Sequence, residues 1–571
     1  MTNILLTNIP SGANPTDFPP IGISNVIEGV DPCLNCNIFF LDLDYYRPSF
    51  EKIEEKIRGF SPQILGFSAI LTPAYSYLKE LSAFIKNRFP DVIQVMGGEM
   101  AVISNIILQK TKIDFCVTGE SEPAFSDLIA KLQQDKFMIK NRETYKNIKG
   151  LAYLLNGIPY FTGYAEILPD KIKQINYELI SKFTNLGHYM QRIDGQQYKN
   201  RINKHEIKKF FNLFHTNNPG KKIANVQASK GCVGKCTFCH RFFKGYRTLE
   251  PDTVISYIDD LTKKYDIGLI QFAEENFGSN IKRTLEITNY LKEKKINWAA
   301  GAVRANTVNE EMVKRWKESG CVHINFGVES CSQKMLDVME KYTAVEENLN
   351  ALKLLYKYGI LTIVGLVLGM PGESEQTIEE TIHNLSKVLP DDINAPYEIC
   401  INWFQAVPGT PAYEYARSVK KIGLSLEEEE NYIQGLYNVD ANNIKHYLNF
   451  TDYEKEEIAY WKDYIFLELI VACIKKHGVF NILKYKKANR YKYGLIYMLF
   501  PKIIRKFLLK YLTIVKCFGI KRVFYILYKK IFLKKPVHYG NVNCSLRKLN
   551  RKIKLPIRKD DIYTHALRQG R

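Results

Sequence analysis

The sequence predicts an α/β protein in three parts: a doubly wound, Rossmann-like domain, a partial (β/α)6 barrel and a helical, basic C-terminal region. Three observations carry that prediction. Apolar, strand-like runs alternate with helical stretches over residues 1–130 and again over 222–415. Past about residue 425 the strand signals fade, and Tyr, Phe, Ile and Lys recur at helical spacing. The length of 571 residues, at roughly 150 per domain, allows three or four domains.

In the first part, Asn3–Ile9, Ile38–Asp42, Ile64–Phe67, Val92–Met96 and Phe115–Thr118 read as strands, with a helix over Ala74–Phe89. Strands that alternate with helices form a parallel sheet, and such sheets bind ligands at the carboxyl ends of their strands. This domain is placed at 1–140. Residues 141–220 are polar and weakly periodic and are expected to connect it to the barrel, placed at 221–425. Six strand candidates lie there: Ala224–Ala228, Leu269–Ala273, Trp298–Ala302, His323–Gly327, Thr362–Leu368 and Ile399–Phe404. Helices over Pro251–Tyr265 and Glu346–Tyr358 lie between them. Six units are too few for a closed eight-fold barrel and suit a partial one. Residues 426–571 form the helical region.

At 46% apolar and 25% charged, the composition excludes wholesale disorder and collagen-like fibres. No uncharged apolar run reaches the 18 residues of a plain membrane span. Met1 to Pro10 lack the basic and long apolar regions of a signal peptide, so a cytoplasmic setting is expected, in which cysteines stay reduced. The net charge of +20 is uneven: residues 471–571 hold 27 Lys+Arg against 2 Asp+Glu, whereas the other 470 hold 53 against 58. A basic tail on a mildly acidic body implies an anionic partner, or a cap that leans on the body.

The strongest local signal is Gly231-Cys232-Val233-Gly234-Lys235-Cys236-Thr237-Phe238-Cys239-His240, directly after a predicted strand. Three thiolates on one short loop can hold three irons of a cubane and leave the fourth open. A tetrahedral zinc would need a fourth ligand, and His240 is poorly placed next to Cys239. The C-x3-C-x-aromatic-C pattern resembles the signature of the radical S-adenosylmethionine (SAM) enzymes. Further segments extend the resemblance. Gln271-Phe272-Ala273-Glu274-Glu275-Asn276-Phe277 resembles the second-strand segment whose acidic residues hold the SAM amino group, with Glu-Glu in place of the commoner Asp-Asp. Asn325-Phe326-Gly327-Val328-Glu329-Ser330 resembles the fourth-strand segment near ribose and carboxylate. The run from Gly365 to Glu373 resembles the fifth-strand segment that makes room for adenine, and Val407-Pro408-Gly409-Thr410-Pro411 resembles the loop of the sixth unit. The resemblance implies a [4Fe–4S] cluster on Cys232, Cys236 and Cys239. It implies SAM contacts at Phe238, Glu274, Glu275, Arg304, Glu329, Ser330 and Gly365.

In the first domain, Ser68-Ala69-Ile70 precedes Gly97-Gly98 by 26 intervening residues, and Asp17-Phe18-Pro19-Pro20-Ile21-Gly22 stands upstream. This resembles the cobalamin-binding domains, with D-x-H-x-x-G, then S-x-L, then G-G. Asp114 to Glu122 resembles a segment common to the cobalamin-dependent radical SAM group. The implied cobalamin contacts are Pro20, Gly22, Ser68, Ile70, Gly97, Gly98, Gly119 and Glu120. Pro19 stands where a lower-ligand histidine would be, so no protein imidazole beneath cobalt is expected. Cys33 and Cys36 form a C-x-x-C pair read as plain thiols before a redox or metal pair.

The resemblance implies a radical SAM enzyme that cleaves SAM to a 5′-deoxyadenosyl radical. The expected outcome is cobalamin-dependent methylation of an unactivated carbon in a secondary-metabolite or lipid-like substrate. A non-methylating cyclisation or rearrangement is the alternative, and a non-catalytic zinc- or RNA-binding protein a remote one. The implied partners are a small-molecule or lipid-like substrate and a one-electron reductant such as flavodoxin or ferredoxin. The basic, aromatic-rich helices between Tyr485 and Lys535 are read first as a lid contacting substrate, then as a membrane-surface contact; nucleic acid ranks last because no nucleic-acid motif is present.

Overall fold

The computed structural model describes residues 1–70, 74–164, 172–193, 220–240, 245–436, 443–485 and 489–532, with a few isolated positions besides. The first sheet contains β1 (Thr2–Asn8), β2 (Cys36–Asp42), β3 (Ile64–Ser68), β4 (Ile93–Gly97) and β5 (Phe115–Val117), all parallel. Helices cover both faces, so its inner strands are buried throughout and read as continuous apolar runs. The order β2-β1-β3-β4-β5 places the topological switch between β1 and β3, which is where doubly wound sheets open a ligand crevice.

Two more strands follow. β6 (Leu151–Leu155) and β7 (Ile158–Phe161) extend the sheet antiparallel beyond β5. The sequence reading treats this stretch as connecting segment, whereas the structure makes it sheet. The reason is local: Asn156 and Gly157 both have positive φ, the two-residue turn whose twist matches a hairpin. The following residues are packed into both parts. Tyr189 and Thr184 donate to the buried Asp42 carboxylate at 2.6 and 2.7 Å, and the Tyr177 hydroxyl donates to the Asn225 carbonyl at 3.1 Å. The expected stretch from Ala74 is found as the helix Ala74–Arg88.

The second sheet is built from β8 (Lys222–Val226), β11 (Ile267–Phe272), β12 (Asn297–Val303), β13 (Cys321–Glu329), β14 (Leu361–Leu368) and β15 (Tyr397–Trp403), all parallel and in sequential order. Between β8 and β11 lies a short antiparallel hairpin, β9 (Ser229–Gly231) with β10 (Tyr246–Thr248). This is the expected partial (β/α)6 barrel, with the helices Pro251–Tyr265 and Val345–Lys357 outside it.

The C-terminal helices lie against the outside of the barrel. Lys502 and Lys506 pair with Glu379 and Glu375 of the barrel helix Glu375–Lys387 at 2.7 and 3.0 Å. Tyr460 and Tyr464, from the first turn of the helix Trp461–His477 and the residue before it, donate to the same two carboxylates. The described tail helices therefore lean on the acidic body rather than close over the strand ends. Before these helices, Tyr447 donates to the Gly369 carbonyl at 2.7 Å, and after them Val542, beside Gly372, and Ser545, which donates to Glu340, reach the barrel's upper loops. The tail residues after Phe532 otherwise lie outside the described residues. No described helix is long and apolar enough to cross a membrane.

Candidate active site

β8 delivers the chain to the hairpin β9–β10, and Gly231, with φ of 82°, opens the cysteine loop. A side chain would be strained in that left-handed conformation. Thr237, fully buried, fixes the loop from below. Its amide and hydroxyl donate to the carbonyls of Met339 and Val338 at 2.8 and 3.1 Å, and its own carbonyl accepts from Ala412 at 3.0 Å. The three thiols on either side of it are free. The Gly234 amide donates to Cys232 Sγ at 3.2 Å, and Arg304 Nη1 lies 4.0 Å from Cys236 Sγ. A Cβ at Gly234 would come within 2.6 Å of that guanidinium nitrogen, so this glycine makes room for the arginine. Burial pushes the Cys232 thiol up, while the Gly234 amide and the Arg304 charge pull it back. Among the described residues, no three His, Cys, Asp or Glu side chains converge as a single-ion site would require.

Beneath the loop runs a buried chain of charge. Arg304 Nη2 donates to the Lys341 carbonyl, and Lys341 Nζ binds Glu329 Oε1 at 2.8 Å. Arg304 Nε is buried without a hydrogen-bond partner. Glu329 ends β13 at φ 64°, a left-handed conformation costly for a non-glycine residue. Its carboxylate would collide with a Cβ on Gly327, at 2.5 Å. Gly327 pairs with Gly365 on β14, where a Cβ would meet nothing nearer than 3.6 Å. The chain's own packing therefore does not require glycine at 365.

A second crevice opens at the switch of the first sheet, lined by Gly22, Ser68, Gly97, Gly98, Gly119 and Glu120. Gly98 has φ 74°, and a Cβ there would approach the Ala69 carbonyl oxygen at 2.8 Å and Ser68 Oγ at 3.0 Å. Lys230 of β9 also lines this crevice. Its Nζ stands 4.0 Å from Glu120, and Arg247 of β10 forms a closer ion pair with the same carboxylate. The hairpin that feeds the cysteine loop thus also borders the crevice.

The Radical SAM superfamily model matches residues 226–385, and the B12 binding domain model matches residues 13–129. The chain thus carries a radical SAM domain and a B12-binding domain. It is 26% identical over 414 residues to the anaerobic magnesium-protoporphyrin IX monomethyl ester cyclase of Cereibacter sphaeroides, covering 70% of this chain and 60% of that protein. It is 28% identical to an uncharacterised methyltransferase of Pyrococcus horikoshii, covering 64% and 72%. The cobalamin-dependent SAM radical enzyme OxsB with aqua-cobalamin and SAM bound has the same fold, with a TM-score of 0.59, 17% identity, and coverage of 100% of this chain and 83% of that one.

The residues expected from sequence divide between those that meet at the cysteine loop and those held elsewhere. Cys232, Cys236, Arg304, Glu329 and Gly365 come together around the loop and the ends of β12 to β14. Cys239 lies exposed on the same loop, and Phe238 packs half-buried against the barrel core. Two others are turned to structural work. Glu274 accepts from the Ala228 amide at 2.7 Å and from the Ser229 hydroxyl, which ties β11 to the β8–β9 turn. Burial raises it to about 7 against the pull of those bonds. Its neighbour Glu275 is exposed and lies within electrostatic reach of Cys232 and Cys239. Ser330 is buried, with its hydroxyl 3.3 Å from Thr381 Oγ1 and accepting from the Ser332 amide at 3.1 Å. In both cases a hydrogen-bonding group lies closer than the site does. In the first domain Ile70 is exposed, and Pro20 caps the helix Ile21–Gly29; neither lines the crevice. His323 is bonded to Asn325 at 3.0 Å. Sequence reasoning missed Lys341, Lys230 and Arg247. The first lies outside any motif, and the other two are legible only once the hairpin is folded.

Proposed function

We propose that this enzyme methylates an unactivated carbon of a small or lipid-like substrate, with cobalamin as methyl carrier. Cys232, Cys236 and Cys239 would hold a [4Fe–4S] cluster. Glu275, Arg304, Glu329 and Gly365 would border SAM, and Gly22, Ser68, Gly97, Gly98 and Gly119 would receive cobalamin. When bound, these groups supply one-electron reduction of SAM and a transferable methyl. The chain's own residues set the conditions. Thr237 fixes the loop, Arg304 balances thiolate charge with its guanidinium, and the Lys341–Glu329 pair holds a carboxylate in a strained, ready position. The single observation that carries the reading is Glu120, which lines the cobalamin crevice and is bound by Lys230 and Arg247 from the hairpin that opens the cysteine loop. A methyl carrier is useful only if it is held against the site where the substrate is activated.

The reading includes a one-electron reductant such as flavodoxin or ferredoxin and a cytoplasmic protein that meets the membrane at its surface. The likeness to a cyclase favours a second reading, a non-methylating ring closure. Product mass spectrometry decides between them. Methyl transfer adds one CH2 to the substrate and releases S-adenosylhomocysteine, whereas ring closure adds no carbon. Cys236→Ala is expected to lose iron and sulfide after anaerobic reconstitution and to abolish 5′-deoxyadenosine release. Undiminished release from that variant would refute the cluster assignment.

A further inference from the structure

We infer that the C-terminal helices dock this protein on an anionic lipid bilayer, through a helix face that the fold turns inside out. The inference deepens the surface-membrane part of the reading above and is independent of the chemistry at the cysteine loop. A surface helix normally buries its apolar stripe and shows its charges to water. The helix Lys502–Phe518 does the reverse. Its ionic side faces the protein: Arg505 makes a buried bidentate pair with Glu468, at 2.9 Å to each oxygen, and Lys502, Lys506 and Lys510 reach Glu375 and Glu379. Its apolar side faces out. Ile503 and Phe507 are 84% and 60% exposed, and Ile504 and Val515 continue the same side of the helix.

The face extends beyond one helix. Leu499, just before it, is 79% exposed, and the helix Ile520–Phe532, packed against it, shows Phe524 and Leu527. A contiguous apolar surface of this kind on a soluble chain marks an interaction surface. Charge selects the occupant. Lys516 and Lys521 are exposed on these two helices, and residues 471–571 as a whole carry 27 Lys+Arg against 2 Asp+Glu, so a second copy of the same face would meet like charge. RNA phosphates would satisfy the cations but leave isoleucine, leucine and phenylalanine in water. An anionic bilayer surface satisfies both, with the exposed apolar side chains at the acyl boundary and exposed lysines of the same helices, such as Lys516 and Lys521, among head groups. With no described helix able to span a bilayer, the helices would lie in the interface plane.

The test is flotation of the full chain with vesicles of phosphatidylcholine alone and of phosphatidylcholine doped with phosphatidylglycerol. The anionic vesicles should retain about tenfold more protein, and raised salt should lower that fraction, because surface attraction is screened. The double variant Ile503→Glu/Phe507→Glu should cut retention by about tenfold while leaving circular dichroism and SAM cleavage without vesicles unchanged. Equal retention on neutral and anionic vesicles, or undiminished retention of the variant, would overturn the proposal. So would sedimentation as a dimer that the variant disrupts, or RNA binding without vesicle binding. SAM cleavage measured in the same preparations reports separately on the catalytic reading.

Discussion

The residues beneath the cysteine loop carry more charge than a buried site tolerates without compensation. Lys341 and Glu329 are both nearly buried and satisfy each other at 2.8 Å. Removing one partner leaves the other uncompensated, which costs about 3–5 kcal/mol. Lys341→Met should therefore lower the unfolding free energy by about that amount in chemical denaturation, and Lys341→Arg should recover most of it. Glu274 gives a pH signature. Its carboxyl is raised from 4.5 to about 7 by burial, so the native state keeps a proton that the unfolded chain releases. Stability from this group is full below the unfolded value and declines as pH climbs toward 7. Thermal midpoints measured across that window should fall for the native protein and flatten in Glu274→Gln. Glu373, raised to about 8 by burial against its bond from the Gly369 amide, supplies the slope that remains at higher pH.

At the scale of elements, function depends on where strands end and how closely the next segment can approach. β3 and β4 stop at Ser68 and Gly97, and the chain then turns through Gly98 against the Ala69 backbone. Gly98→Ala would put a Cβ in a left-handed conformation, at about 1–2 kcal/mol, and 2.8 Å from a backbone oxygen that cannot swing away. The expected outcome is a variant that folds with a lower melting temperature and loses cobalamin retention, read from visible absorbance after reconstitution. The cysteine loop works the same way: Gly231 supplies the turn, Gly234 the space for Arg304, and Thr237 the anchor.

At the scale of the molecule, the two sheets are held together by ion pairs as well as apolar packing. Arg247 and Lys230 clamp Glu120, and Lys79 and Lys110 reach Glu430 and Glu427 from the first domain to the helix Leu426–Gly435. Arg247→Ala should leave 5′-deoxyadenosine formation largely intact and reduce product methylation by at least about tenfold, because buried charge pairs fix register as well as affinity. Equal loss of both activities would place Arg247 in the cysteine site instead. The tail adds a third layer on the outside of the barrel, joined to it through Glu375 and Glu379, while the Arg505–Glu468 pair holds two of its own helices together.

Apolar periodicity and short-range glycine and cysteine spacing are local properties of the chain, and they suffice to place the five parallel strands of the first sheet, the six of the second and the cysteine loop. The sequence also contained the β6–β7 hairpin, in Asn156-Gly157 between apolar runs, although its polar surroundings read as connector. Long-range packing settled which charges meet. It gave Glu274 to Ser229 and Ala228, Ser330 to Thr381, Glu120 to Arg247 and Lys341 to Glu329, and it turned the ionic side of Lys502–Phe518 inward. Those pairings join residues that are mostly distant along the chain. A side chain's partner is set by what packing brings within about 3 Å, and no local pattern records that.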